Sequence, residues 1–250
     1  MQCLDLRPGG TTLAGVTARD RSKTTPRRAA AKAGAGRAVR GKPAYHHGDL
    51  RRVLLDASVA LIVAGGVEAL SLREVARAAG VSPAAPYHHF ASKAELLGAI
   101  AARGFAGLTA AMHAAIAALP DADEPHERLM AIGNAYIAFA RAQPTEFRLM
   151  FRPGLVTPAD LPADCDPAVS FELLLDAVTR LSRVVPASLV TPEALALTAW
   201  SLVHGAAELL LDGPLAAVHD RLPVAPEDVG PMVVATLPTL LRAACGKPAA

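Results

Sequence analysis

The residues best suited to chemistry crowd between Ser71 and Glu95. Ser71 and Ser92 each stand three positions before a glutamate, Glu74 and Glu95, which is the spacing of a helix N-terminal capping box. Between them lies Ser82-Pro83-Ala84-Ala85-Pro86-Tyr87-His88-His89-Phe90, followed by Lys93. A phenol and an imidazole on one short helix, with an ammonium at the start of the next, can donate hydrogen bonds to phosphate oxygens and base edges. That is the chemistry of contact, not of bond making. His89 and Phe90 fit packing against the first helix better than they fit base reading.

Other constellations are weaker. His46-His47 and His88-His89 invite a metal, but neighbouring helical residues point about 100° apart and no third ligand follows at a usual spacing. No cofactor is therefore expected. His46 and His47, with Arg51 and Arg52, suit phosphate neighbours at the start of the first helix. No GxSxG, phosphate-binding or dinucleotide-binding loop occurs, and Asp121-Ala122-Asp123-Glu124 and the acids from Asp160 to Asp166 suit solvated loops. An enzyme is not expected. The later half carries Met112, His113, Tyr136, Phe139, Phe147, Met150, Phe171, Trp200 and His204 at mostly helical spacing. Singly each suits a core. As a group they would line a cavity between helices and bind a small-molecule effector. Tyr136, His113 and His204 would meet a polar head group or one another.

The elements that must position these residues are helices. The chain has 250 residues, 52% of them hydrophobic and 4% aromatic, and alanine is frequent throughout. The expected fold class is all-α. Three cysteines (Cys3, Cys165, Cys245) are too few for a disulfide framework. No signal-peptide core opens the chain, and Leu195–Leu211, the most apolar stretch, carries His204 and Glu208 and falls short of a membrane span. A cytoplasmic protein without a membrane partner is the expectation.

Charge is unevenly spread. Residues 1–48 hold ten Lys/Arg and only Asp5 and Asp20, whereas 106–250 hold nine basic against sixteen acidic residues. Residues 1–44 show no helical or strand period and read as a disordered basic tail, either a weak polyanion binder or a solvated leader. An organelle transit peptide ranks low because Gly and Pro are dense there, and an extended start is a further reading.

Order begins near Tyr45. Leu50, Val53, Leu54, Ala57 and Leu61 recur at helical spacing, with Asp49 as N-cap and Gly65-Gly66 as the stop. Ser71 opens a second helix that ends at Gly80. Ser82 caps a short third helix with Pro83 at its first position. Ser92 opens a long one running to about Leu119. Prolines divide the remainder into helices at about 125–143, 145–151, 168–185, 192–212 and 227–245, with 152–167 the longest loop. Gly205 inside a helix implies close helix–helix approach. The helices at 192–212 and 227–245 are apolar on nearly every side and need burial on two, which a homodimer would supply.

The turn Ala79-Gly80-Val81-Ser82 between two short helices has the form of a helix-turn-helix. From Leu72 to Leu97 the chain resembles the DNA-binding domain of TetR/AcrR-type transcriptional regulators, with the likeness running from about His46 to Phe105. Ala199-Trp200-Ser201-Leu202-Val203-His204-Gly205 is similar to the Trp–His–Gly signature of one C-terminal domain type in that family. The resemblance implies a helix-turn-helix domain over 45–105 and an effector-binding and dimerisation domain over 106–250. It implies a homodimeric repressor that leaves operator DNA when an apolar or amphipathic effector binds. Tyr87 then falls where the family's recognition-helix tyrosine meets the DNA backbone, His88 where a polar residue faces DNA, and Lys93 where a lysine binds phosphate. Ser82, Pro83, Ala84 and Ala85 would form the groove-facing front. Pro86 departs from the commoner bulky aliphatic and removes one backbone hydrogen bond. The rival reading is a non-specific, nucleoid-type DNA binder driven by the tail.

Overall fold

The computed structural model describes residues 47–184, 191–213, 221 and 224–245. The expected tail and His46 lie outside these, and of His47 only its place at the start of the first helix is described. Among the described residues eight α-helices carry the fold: α1 (His47–Gly65), α2 (Leu72–Ala78), α3 (Lys93–Ala117), α4 (Pro125–Ala142), α5 (Pro144–Met150), α6 (Val169–Val184), α7 (Pro192–Leu211) and α8 (Pro226–Cys245). Short 3-10 turns occupy Val67–Ala69, Ala85–His88 and Pro158–Asp160, and no strand occurs among the described residues.

Local chemistry explains the helix starts. Ser71 Oγ accepts the Glu74 N–H at 3.2 Å, and Ser92 Oγ accepts the Glu95 N–H at 3.1 Å. The reciprocal half of each box differs from expectation. Glu74 does not reach back; it pairs with Arg77 one turn on, at 3.0 Å to Nε, because a charged fork is the stronger donor. Glu95 reaches back one residue further, accepting the Ala91 N–H at 2.6 Å. Asp49 lies inside α1 and not at its cap, and α3 ends at Ala117, two residues before the expected Leu119. Proline at the first turn begins α4, α5 and α7, where its missing N–H costs no helical bond.

Two apolar cores result. Leu54, Leu72, Val75, Phe90, Leu96 and Ile100 join α1, α2 and the start of α3 in the first. Met112, Ile132, Tyr136, Phe147, Val178, Ala199 and Val234 join the rest of α3 to α4–α8 in the second. Helix α5 belongs to both, since Leu149 packs in the first and Phe147 in the second. Arg103 of α3 reinforces the junction, donating to Asp56 of α1 at 2.6 Å and to the buried Glu146 of α5 at 2.9 Å.

The long connection between α5 and α6 is also anchored. Leu155, Val156 and Leu161 pack on the first core. The Asp160 carbonyl lies so close to α3 that a Cβ at Gly98 would sit 1.9 Å from its oxygen. Only glycine fits there.

Helix α7 requires a correction. Over Pro192–Leu211 it is long and apolar enough to cross a membrane by length and composition, as is α3, so the stretch does not fall short. Leu195, Ala196, Ala199, Val203, Ala206 and Ala207 of α7 are nevertheless buried against neighbouring helices. At Gly205 a Cβ would meet nothing within 4 Å among the described residues, so none of the described helices makes the close approach expected there. Leu197, Leu202 and Leu209 of α7 and Met232 and Leu240 of α8 remain exposed.

Candidate DNA interface and effector cavity

The α2 terminus is a Schellman motif. Gly80 adopts φ +68°, the Val81 N–H reaches the Ala76 carbonyl at 3.0 Å and the Gly80 N–H the Arg77 carbonyl at 3.2 Å. Val81 packs on the first core and so turns the chain away from α2.

The segment after Val81 is not an α-helix capped by Ser82. Ser82 contributes its carbonyl, which accepts the Ala85 N–H at 3.0 Å. Ala84 takes the cap position without a side-chain bond, and Pro86, not Pro83, lies in the first turn. The cause is proline. Pro86 has no N–H to give Ser82, so the segment closes by i to i+3 bonds: Tyr87 N–H to Ala84 at 3.2 Å and His89 N–H to Pro86 at 2.9 Å. Pro86 itself is buried, taking the inward position that a bulky aliphatic would fill.

This turn sorts the expected contact residues by face. Ser82, Pro83, Ala84, Tyr87 and His88 are exposed, Tyr87 by 53%, and Ala85 is half-buried. Phe90 is 1% exposed and His89 lies half-buried beside it, with ring centres 6.3 Å apart. The Arg51 guanidinium lies 5.4 Å over the Phe90 ring and ties α1 to the turn. Lys93 Nζ donates to the Val67 carbonyl at 2.6 Å, which leaves two of its three N–H donors for other acceptors.

A separate cavity of about 190 Å³ lies inside the second core. Met112, Tyr136, Phe171 and Trp200 line it, as the sequence suggests. The other five expected residues do not. His113 follows Met112 by one helical step and is exposed. Phe139 is buried, Phe147 is fully buried against the Tyr136 ring at 5.5 Å, and Met150 packs where the two cores meet. His204 stands behind Tyr136, whose hydroxyl lies 2.8 Å from its Nδ1. Phe105, Ile132, Phe151 and Val203 also line the cavity, among others. The signal for Phe105 is its place seven residues before Met112, on the same face of α3.

Tyr136, Trp200 and His204 satisfy one another, while the Ser170 hydroxyl, also on the cavity wall, donates to the Pro167 carbonyl at 3.5 Å. Trp200 Nε1 donates to the Tyr136 hydroxyl at 3.3 Å, and His204 Nε2 lies 3.9 Å from a Glu208 carboxylate oxygen. Burial holds His204 below the usual imidazole range, against the opposing pull of Glu208. Burial likewise pushes the Tyr136 phenol far up, so it keeps its proton. No Lys, Arg, Asp, Glu or His is among the described residues that line the cavity. No cluster of His, Cys, Asp or Glu able to hold a metal occurs among the described residues.

The chain is similar to known proteins over both regions. Residues 54–100 match the family model described as bacterial regulatory proteins, tetR family, and residues 129–229 match a tetracyclin repressor-like C-terminal domain. The HTH-type transcriptional regulator BetI of Rhizobium meliloti (strain 1021) is 40% identical over 82 residues, which are 33% of this chain and 39% of BetI. The match thus spans well under half of that relative. A solved protein of unknown function from Rhodococcus sp. RHA1 is 32% identical with TM-score 0.64, covering 82% of this chain and 100% of that one. AibR, solved in complex with isovaleryl coenzyme A and operator DNA, shares the fold at 20% identity and TM-score 0.53, over 74% of this chain and 96% of that one. One family model falls on the helix-turn-helix and the other on the cavity-bearing helices. Together they take in more than half of the sequence, and the chain belongs to the TetR family of bacterial regulatory proteins.

Proposed function

We propose that the chain is a sequence-specific, DNA-binding transcriptional repressor that leaves its operator when a small apolar or amphipathic effector enters the cavity. The observation that carries this reading is the exposed Tyr87–His88 edge of the helix-turn-helix, joined to the cavity walls through α3 and α5. Ser82, Pro83, Ala84, Ala85, Tyr87, His88 and Lys93 are its DNA-facing residues, with His46, His47 and Arg51 beside the phosphates. Residues 45–105 act as the DNA-binding domain, 106–250 bind effector and dimerise, and 1–44 form a basic tail. Trp200, His204 and Gly205 mark the C-terminal domain type with the Trp–His–Gly signature. The protein works in the cytoplasm, as a regulator and not an enzyme.

A homodimer through α7 and α8 is part of this reading. The exposed leucines of α7 need cover, and the open space at Gly205 admits a partner helix. Two recognition turns would then meet successive major grooves about 34 Å apart. An effector releases DNA only if it binds the DNA-incompetent arrangement more tightly.

The test is binding to the DNA upstream of the protein's own gene, with competitor DNA and a salt series. Tyr87→Ala should weaken competitor-resistant binding roughly 10- to 100-fold, the loss expected for a charge-assisted hydrogen bond to phosphate in each half-site. Binding that competitor removes equally, that the substitution leaves intact and that disappears on deleting residues 1–44 would instead identify a non-specific, tail-driven DNA binder.

A further inference from the structure

We propose that the cavity selects a compact, neutral, ring-shaped alcohol or phenol of about six to ten non-hydrogen atoms, whose O–H donates to the Tyr136 hydroxyl oxygen. This rests on the reading of the cavity as the effector site and narrows it.

Size sets the first limit. A dry apolar cavity of about 150 Å³ accepts benzene, so about 190 Å³ accommodates a ring with one or two substituents. Shape agrees. Trp200 stands 5.8 Å from Phe171 and 6.1 Å from Phe151, ring centre to ring centre, so flat aromatic walls face the space.

Charge sets the second limit. A carboxylate entering this space would lose its water and meet no cation, because none of the described lining residues carries one. His204 offers no substitute, since it sits behind Tyr136 and burial keeps it neutral.

The hydrogen-bond inventory decides the functional group. The Glu208 carboxylate, 3.9 Å from His204 Nε2, favours the tautomer with its proton on Nε2 and a bare Nδ1. The Tyr136 hydroxyl therefore spends its only proton on Nδ1, 2.8 Å away. Trp200 Nε1 supplies one donor to the same oxygen at 3.3 Å, leaving one lone pair. Tyr136 can accept from a ligand but has nothing left to give it. The cavity's other hydroxyl, Ser170, is directed at the Pro167 carbonyl at 3.5 Å. An ether, ketone or ester of the same outline would therefore find no donor on Tyr136, whereas an O–H would find an acceptor there.

Trp200 is the single tryptophan of the chain and lines the cavity, so its emission reports occupancy directly. The experiment titrates full-length protein with 4-methylphenol, toluene, 4-methylanisole and 4-methylbenzoate at pH 7. Binding is followed by calorimetry and by Trp200 emission excited beyond the phenol absorption. The expected result is that 4-methylphenol binds about tenfold more tightly than toluene and 4-methylanisole, while 4-methylbenzoate does not bind. Tyr136→Phe should bring 4-methylphenol down to the level of toluene and leave toluene unchanged. Ala199→Phe, which fills the cavity, should abolish binding of all of them.

If toluene binds and 4-methylphenol gains nothing over it, or if 4-methylbenzoate binds as well as the neutral probes, the ligand class is overturned while the cavity reading stands. If no probe perturbs Trp200, or if binding survives Ala199→Phe, the cavity is not the effector site and both readings fail.

Discussion

Phe90→Ala should lower folding stability by about 3–5 kcal/mol and abolish operator binding. The size of the effect comes from where the ring sits. Phe90 is 1% exposed and closes the first core at the end of the DNA-facing turn, with Leu54, Val75 and Leu96 in the same cluster. It is also the surface on which Arg51 of α1 rests, 5.4 Å away. Removing the ring leaves a void among residues of α1, α2 and α3 that cannot collapse far, because the Ser71 and Ser92 caps hold the helix starts. Urea denaturation followed by circular dichroism measures the loss, and gel shift measures DNA binding. A variant within about 1 kcal/mol of wild type would show that the turn does not depend on this core. Phe90→Leu should restore most of the stability.

Gly98→Val should cost about 3 kcal/mol, at the upper end for an overpacked site. The obstacle is backbone and not a side chain that could swing aside: a Cβ would lie 1.9 Å from the Asp160 oxygen and 2.5 Å from its carbonyl carbon. The loop cannot yield easily. Asp160 Oδ2 accepts the Thr157 N–H at 2.8 Å and its hydroxyl at 2.6 Å, closing a small rigid turn. Even Gly98→Ala should destabilise, although in an open helix that change gains about 1 kcal/mol. The sign is the informative part. Thermal melts report it, and limited proteolysis within 152–167 should accelerate in both variants. A stabilised Gly98→Ala would mean the loop does not rest on α3 at that point.

Legibility in the sequence depends on how locally each feature is determined. Helix starts at Ser71, Ser92, Pro125, Pro144 and Pro192 are readable because a cap or an N1 proline acts within one turn. The turn at Gly80 is readable for the same reason. The 3-10 form of Ala85–His88 is not, although its cause is visible: losing the Pro86 N–H does more than loosen an α-helix, because the turn closes instead by i to i+3 bonds at Ala85, Tyr87 and His89. The cavity is readable only in part. Aromatic residues at helical spacing identify an inward face, but lining a space and filling one look identical in sequence, so Phe147 and Phe139 fall in one group with Tyr136 and Trp200. The Tyr136–His204 bond joins residues 68 positions apart and depends on how α4 packs against α7. Gly205 suggests close helix–helix approach, and the space around it is open among the described residues.

The sharing of α5 between the two cores bears on how the molecule comes apart. With Leu149 in one core, Phe147 in the other and Arg103 bonded to both α1 and α5, neither half keeps its packing when the other is lost. The chain should therefore melt in one cooperative transition and not in two. Stabilisation by a cavity ligand then spreads by mass action through the entire cooperative unit. In hydrogen exchange, amides of α2, far from the cavity, should slow by the same factor as those of α4 when a ligand is bound. Slowing confined to α4 and α7 would show two units that unfold independently.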